Sequence, residues 1–309
     1  MHKLSYLSGT SHTPLIGSTI GDYFDHIVSR FPQNDALIVA QQNIHWTYQE
    51  LSEKVQETAR AFLALGLQKG DRIGIWAPNQ SEWLLTQLAT AKLGAILVNI
   101  NPSYRAQELK YALNQSGCRM LVMADQFKSA NFTEIIQSLA PELANCPPGA
   151  LNSQELPDLQ TIIRLHPETL PGMWTWENFI LQANQTSEEE IAQIQSGLSF
   201  DEAINIQYTS GMTGYPKGAT LSHHNILNNG YFVARSMHFT EKDRLIIPVP
   251  LYHCFGMVMG NLGCITHGAT MIYPSEAFEP EKVLQAAQAY QATALYGVPT
   301  MFIAELEHP

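Results

Sequence analysis

The spacing of apolar and polar residues predicts alternating strands and helices in the first part of the chain. Thr47 and Glu50 have capping-box spacing, and apolar residues then recur at helical intervals until Gly66, which predicts a helix. The elements predicted next are a strand at 72–76, a helix opened by Ser81 and closed near Gly94, a strand at 95–100, a helix at 106–116 and a strand at 120–124. Because these strands are apolar throughout, the pattern favours parallel strands covered by helices.

A second run of the same kind begins near Glu202. A proline-rich excursion at 141–172, with one strand at 161–165, and a helix that Ser187 opens separate the two runs. The second run comprises a strand at 203–208, a helix from the Ser222 cap to about 235, strands at 244–249 and 270–273, a helix at 279–290 and a strand at 294–296. We therefore predict a layered α/β fold with mostly parallel sheets and two α/β subdomains, at 1–200 and 201–309.

Composition narrows the class of protein. The 309 residues are 45% hydrophobic, enough for a large core, and the formal net charge of −11 argues against a nucleic acid partner. The N-terminus shows no signal-peptide pattern. The longest apolar stretch, Phe255 to Ile265, contains three glycines and is shorter than the roughly 20 residues of a membrane span, so no transmembrane segment is expected.

The cysteines and histidines do not predict a metal site. Cys118, Cys146, Cys254 and Cys264 have no Cys-x-x-Cys spacing, so we predict free thiols in a reducing compartment and a cytoplasmic protein. His223 and His224 are adjacent and diverge in direction on a helix, so we expect surface or capping roles for them. No metal ligands are assigned in this chain.

The segment Tyr208 to Gly218 gives the strongest indication of a ligand-binding site. It follows a predicted strand and is rich in glycine and hydroxyl residues, with one lysine. Such a loop suits a nucleotide triphosphate, because glycines let several backbone N–H groups converge on phosphate while hydroxyls and a lysine add donors. The candidate phosphate-binding residues are Thr209, Ser210, Gly211, Met212, Thr213, Gly214, Pro216, Lys217 and Gly218.

The loop has two other interpretations. A Walker loop needs Gly-Lys-Ser/Thr followed at once by a helix, whereas here Gly218 follows Lys217 and residues 219–221 are predicted to be extended. Lys217 is therefore expected on the closing limb of a hairpin-like loop. The remaining alternative is a surface loop without function, since turns commonly collect Gly, Ser and Thr.

The run from Tyr208 to His223 resembles the signature of the adenylate-forming superfamily, which includes the acyl-CoA synthetases, luciferases and peptide-synthetase adenylation domains. Further similar segments are Trp46 to Leu51, Gly70 to Ile73, Pro250 to Gly256, Gly268 to Thr270 and Leu295 to Phe302, so the resemblance covers nearly the whole chain. It is nearest to the medium-chain fatty acyl-CoA ligase branch. The resemblance implies the layered N-terminal domain of these enzymes.

The resemblance also implies an activity. A carboxylic acid, expected to be a medium- or long-chain fatty acid, would react with ATP, as its Mg²⁺ complex, to give an acyl-adenylate, which coenzyme A then captures. Lys217 and His253 are the implied catalytic residues, His253 lying beside the carboxylate. His253, Phe255, Tyr296 and Gly297 are the implied acyl pocket. For His253 the alternative is a histidine buried in the core between aromatic neighbours, and a homodimer is left open.

One position departs from the family signature. Met212 stands where Ser or Thr is usual, so a hydroxyl donor is lost while the backbone N–H remains. The loss of one charge-assisted hydrogen bond costs roughly 1.5–3 kcal/mol. We therefore expect a modest affinity for ATP.

The family's later motifs for adenine, ribose and the catalytic lysine of the C-terminal domain do not occur before Pro309. We expect the chain to be the N-terminal portion of an acyl-CoA synthetase, with the C-terminal catalytic portion absent and little activity on its own. The alternatives are an incomplete or non-catalytic nucleotide- or acyl-binding module, and a structural α/β protein.

Overall fold

The computed structural model describes residues 12–209 and 216–308. The helices in these ranges are α1 Ile20–Arg30, α2 Tyr48–Ala64, α3 Ser81–Leu93, α4 Ala106–Ser116, α5 Phe132–Leu139, α6 Trp176–Ile180, α7 Glu188–Ser196, α8 His223–Ser236, α9 Gly263–His267, α10 Pro280–Ala289 and α11 Pro299–Leu306. Short 3-10 helices and a π-helix, Phe255–Leu262, complete the helical structure. Among the described helices, none combines the length and apolar character needed to cross a bilayer.

The strands belong to two large sheets and one small hairpin. They are β1 Asp35–Val39, β2 Ile44–Thr47, β3 Arg72–Trp76, β4 Ile96–Asn99, β5 Cys118–Met123, β6 Gln126–Phe127, β7 Ala130–Asn131, β8 Thr161–Arg164, β9 Trp174–Thr175, β10 Ala203–Thr209, β11 Lys217–Ser222, β12 Arg244–Ile246, β13 Thr270–Tyr273 and β14 Ala294–Leu295. The seven-stranded order is β11-β10-β4-β3-β5-β8-β9 and the five-stranded order is β14-β12-β13-β1-β2. Both sheets are parallel except for one antiparallel edge strand each, β11 and β2. The predicted layered, mostly parallel α/β fold is confirmed.

Capping side chains explain where three of the helices begin. Thr47 and Glu50 form the predicted capping box of α2, and Ser187 with Glu190 forms another on α7. The predicted helix at Ser81 begins there, but its N–H donates to the side chain of Gln42 at 2.8 Å, so the cap comes from another segment.

The strands of each sheet come from both sides of residue 200. In the seven-stranded sheet β10 pairs with β4, and in the five-stranded sheet β13 pairs with β1, where Leu37 lies opposite Met271. The division at residue 200 therefore does not coincide with the division into sheets. The proline-rich excursion contributes β8, which extends the seven-stranded sheet beyond β5.

The strand predicted at 244–249 is too long, because β12 ends at Ile246. Pro248 and Pro250 follow, and proline has no N–H with which to continue a sheet. The chain therefore leaves the sheet here and leads into the π-helix.

For His223 the predicted surface role is wrong, because the residue is fully buried at the start of α8, but a capping role is confirmed at the first residue of α1. Its Nδ1 accepts the N–H of Ile20 at 3.1 Å and so joins α8 to the beginning of α1. Burial lowers the pKa of His223 from its ordinary 6.5 to about 4, against the opposing influence of the Glu202 and Asp22 carboxylates. The ring is therefore neutral at neutral pH.

The neutral state of His223 predicts a loss of stability in mild acid. In the unfolded chain the imidazole takes up a proton near pH 6.5, and in the folded chain only near pH 4. The stability that the neutral ring contributes is therefore fully present above pH 6.5 and falls as the pH drops towards 4. At pH 5 we expect a loss of about 2 kcal/mol from this one group. Urea unfolding at pH 7.5 and pH 5.0 measures it, with His223→Asn expected to have the smaller pH dependence and the half-buried neighbour as control, His224→Asn. Equal pH dependence in wild type and His223→Asn would contradict the assignment.

Candidate active site

The predicted phosphate loop is flanked by two paired strands, β10 and β11, here called the β10–β11 hairpin. Strands β10 and β11 pair antiparallel with Thr209 opposite Lys217, and β11 is extended as far as Ser222 before α8 begins. This arrangement excludes a Walker loop and confirms that Lys217 stands on the closing limb. Ser210, Gly211, Met212, Thr213 and Gly214, also predicted to bind phosphate, lie outside the described residues.

Two tyrosines hold the flanks of the hairpin against α4. The hydroxyl of Tyr208 donates to the carbonyl of Ala112 at 3.0 Å, and that of Tyr111 donates to the carbonyl of Pro216 at 3.2 Å. Burial raises the pKa of Tyr208, so its hydroxyl stays a neutral donor.

The residues where β10 ends and β11 begins are exposed. Thr209, Lys217 and Gly218 are all accessible, whereas Pro216 between them is half-buried. The hydroxyl of Thr209 lies 3.4 Å from the carbonyl of Lys217. The hairpin therefore presents a lysine and a hydroxyl group to solvent at the carboxyl end of a parallel-sheet strand, where ligands of α/β proteins commonly bind.

His253 occupies the turn that leads into the π-helix. Its side chain is exposed and its Nδ1 accepts the N–H of Phe255 at 3.1 Å, so it is not the buried core histidine of the alternative interpretation. The carbonyl of His253 accepts the N–H groups of Gly256 and Met257 at 3.0 Å each. The imidazole is thereby fixed at the beginning of the π-helix.

The predicted acyl-pocket residues divide into a contacting pair and a separate glycine. The rings of Phe255 and Tyr296 lie 4.9 Å apart between centroids, and the Tyr296 hydroxyl donates to the carbonyl of Met259 at 3.2 Å. Burial raises the pKa of Tyr296. Gly297 packs on Phe302, whose ring would lie 3.0 Å from an added Cβ. Phe255, which is half-buried, and Tyr296, which is 7% exposed, thus form an aromatic pair that begins next to His253.

Two buried amide side chains, which sequence analysis did not identify, connect the β10–β11 hairpin to the turn that carries His253. Gln207 of β10 donates to the carbonyl of Tyr252 at 2.8 Å, and Asn99 of β4 donates to the side chain of Gln207 at 3.0 Å. Both amides are buried polar residues within strands of a mostly parallel sheet, and this is the signal that the sequence contains. Through Gln207, the strand that leads to the hairpin also holds the residue next to His253.

A cleft of about 340 Å³ opens beside the same turn. Its lining includes Tyr252 and Glu276, in the segments that follow β12 and β13, Lys128 of the β6–β7 hairpin and Met301 of α11. Burial, and then the nearby Glu279, raise the pKa of Glu276. Apolar and charged groups therefore meet next to the turn that carries His253.

The fold is a layered α/β domain, and its hairpin lysine lies at the carboxyl end of a parallel strand, the edge at which ligands of such sheets commonly bind. The model of the AMP-binding enzyme family matches residues 24–309 of this chain. The chain therefore belongs to the AMP-binding enzyme family.

Individual relatives agree with this assignment. The chain is 43% identical to the "Putative acyl-CoA synthetase YngI" of Bacillus subtilis (strain 168), over 96% of this chain and 54% of the relative. It is 42% identical to the "Medium-chain acyl-CoA ligase ACSF2, mitochondrial" of Mus musculus, over 99% of this chain and 50% of the relative. Among solved structures, ATP-bound MatB from Rhodopseudomonas palustris superposes with a TM-score of 0.73 at 26% identity, over 94% of this chain and 51% of that one. The chain spans about half the length of the curated relatives it matches.

Proposed function

We propose that this chain is the phosphate- and acid-binding part of an ATP-dependent acid–thiol ligase that converts a fatty acid into its acyl-CoA thioester. The observation that carries the proposal is the β10–β11 hairpin, which places Lys217 and Thr209 together at the carboxyl end of β10. The names of the bacterial and mouse relatives, a synthetase and a ligase for acyl-CoA, support the same reaction.

The first step joins two anions, so charge neutralisation and alignment must supply much of the catalysis. A carboxylate oxygen of the acid bonds to the α-phosphorus of ATP, the bond to the bridging oxygen breaks, and pyrophosphate leaves. Lys217 and the hydroxyl of Thr209 would contact the phosphates that leave. ATP would enter as its Mg²⁺ complex.

In the second step, the sulfur of coenzyme A bonds to the acyl carbon, the bond to AMP breaks, and the thiol proton goes to solvent or a base. His253 would hold the carboxylate in the first step through its imidazole N–H. The aromatic pair of Phe255 and Tyr296 begins next to His253 and would pack against an alkyl chain. We propose a medium-length chain, as the name of the mouse relative suggests.

Replacement of His253 tests the acid site. We expect His253→Ala to weaken decanoate binding about tenfold, because a charge-assisted hydrogen bond is lost, while Mg-ATP binding changes less than about twofold. Isothermal titration with decanoate and with Mg-ATP measures both. His26→Ala, which removes an exposed histidine of α1, is the control and should leave both affinities unchanged. Unaltered decanoate binding by His253→Ala would remove His253 from the acid site.

A further inference from the structure

The backbone from Val249 to Tyr252 connects β12 to the turn that carries His253. Asn79, in the loop after β3, binds this segment as a second backbone would. Its Nδ2 donates to the carbonyl of Val249 at 2.9 Å, and its Oδ1 accepts the N–H of Leu251 at 2.9 Å. One side chain therefore holds a carbonyl and an N–H group on the two sides of Pro250.

The end of the segment is held by two more amides. The carbonyl of Tyr252 accepts Gln207 Nε2 at 2.8 Å and Asn99 Nδ2 at 3.3 Å. With Asn79, these side chains are 1% to 5% exposed. A buried amide is costly unless it is hydrogen-bonded, and each of these three has a partner in the same backbone segment.

The sequence explains why side chains, and not a neighbouring strand, hold the backbone of residues 249–252. Pro248 and Pro250 supply no N–H groups, so the segment cannot be held as a further part of β12. Asn79, Asn99 and Gln207 come from the carboxyl-end region of β3, from β4 and from β10, which are neighbouring strands of the seven-stranded sheet. The position of the His253 backbone is thus set by the sheet that also carries the phosphate hairpin.

We propose that Asn79, Asn99 and Gln207, here called the amide clamp, are positioning residues that hold His253 in register with the β10–β11 hairpin. Because the clamp side chains are almost completely buried, they act through the backbone next to His253. Its role is to bring the carboxylate that His253 binds into line with the nucleotide held at the hairpin. This inference rests on the proposed function.

The clamp is tested by two asparagine substitutions of matched geometry. Asn79→Ala removes the clamp residue, whereas Asn228→Ala removes a buried asparagine that binds Ile16 in the same two-bond manner, at 2.7 Å and 3.0 Å. Both are also made in a His253→Ala background. The measurements are decanoate affinity by titration calorimetry and hydrogen exchange of the amides of residues 251–257, all on the 309-residue chain.

If the clamp acts through His253, Asn79→Ala weakens decanoate binding about tenfold in the wild-type background and less than about twofold in the His253→Ala background. Exchange of Gly256 and Met257 amides rises in Asn79→Ala and stays unchanged in Asn228→Ala. Equal loss of affinity in both backgrounds, or equal effects of Asn79→Ala and Asn228→Ala, would overturn the inference while leaving the proposed function intact. A wild-type chain that does not bind decanoate would overturn the proposed function and, with it, the role of the clamp.

Discussion

Lys217→Ala is expected to weaken Mg-ATP binding about 10- to 100-fold, because one charged hydrogen bond to phosphate contributes about 1.5–3 kcal/mol. Lys217 is exposed on the closing limb of the hairpin, opposite Thr209, so its removal should leave the fold intact. Isothermal titration with Mg-ATP and with Mg-pyrophosphate measures the effect. Pyrophosphate should show a loss of the same size, because the lysine would contact the phosphates that leave.

Two variants make the result specific. Lys242→Ala removes an exposed lysine from the turn before β12 and should bind Mg-ATP as the wild type does. Lys217→Arg keeps the charge with a different geometry and should retain part of the affinity. If Lys217→Ala and Lys242→Ala have the same small effect, Lys217 is not a phosphate ligand.

Gly256→Ala is expected to lower the free energy of unfolding by about 3 kcal/mol. An added Cβ would lie 2.5 Å from the carbonyl oxygen of Pro250 and 2.8 Å from its carbonyl carbon. These are backbone atoms, and the neighbouring Leu251 is held by Asn79, so the segment has little freedom to move away. Urea unfolding followed by tryptophan fluorescence measures the loss.

Gly197→Ala is the matched control for this substitution. Its added Cβ would lie 3.5 Å from the carbonyl oxygen of Ile194, an ordinary contact. The variant should be as stable as wild type or more stable by about 0.4–1 kcal/mol, since alanine restricts the unfolded chain. Similar unfolding free energies for the two alanine variants would contradict the close packing of the His253 turn against the π-helix.

Much of the local structure could be predicted because its causes are local. The capping box at Thr47 and the helix from Ala106 to Ser116 depend on spacings of a few residues, and both have the predicted bounds or caps. The short strand β1 is not among the predicted elements. It has five residues and gains its parallel partner, β13, from a segment more than 200 positions later.

The site residues that could not be predicted also depend on contacts between distant segments. The limbs of the hairpin could be predicted because Gly, Pro and Lys in Tyr208 to Gly218 are informative as a contiguous run. Asn79, Asn99 and Gln207 are far apart in sequence and have a common partner only after the sheet forms. His223 likewise has no local signal of burial, since its partner, Ile20, belongs to α1.

If the β10–β11 hairpin holds the nucleotide triphosphate of an acid-activating ligase, a bound nucleotide should be visible there. The most direct measurement is a crystal structure of the 309-residue chain with a non-hydrolysable ATP analogue and Mg²⁺. We expect density for the triphosphate along residues 209–218, with Lys217 Nζ within hydrogen-bond distance of its β- or γ-phosphate oxygens. A triphosphate bound elsewhere, with Lys217 turned to solvent, would contradict it.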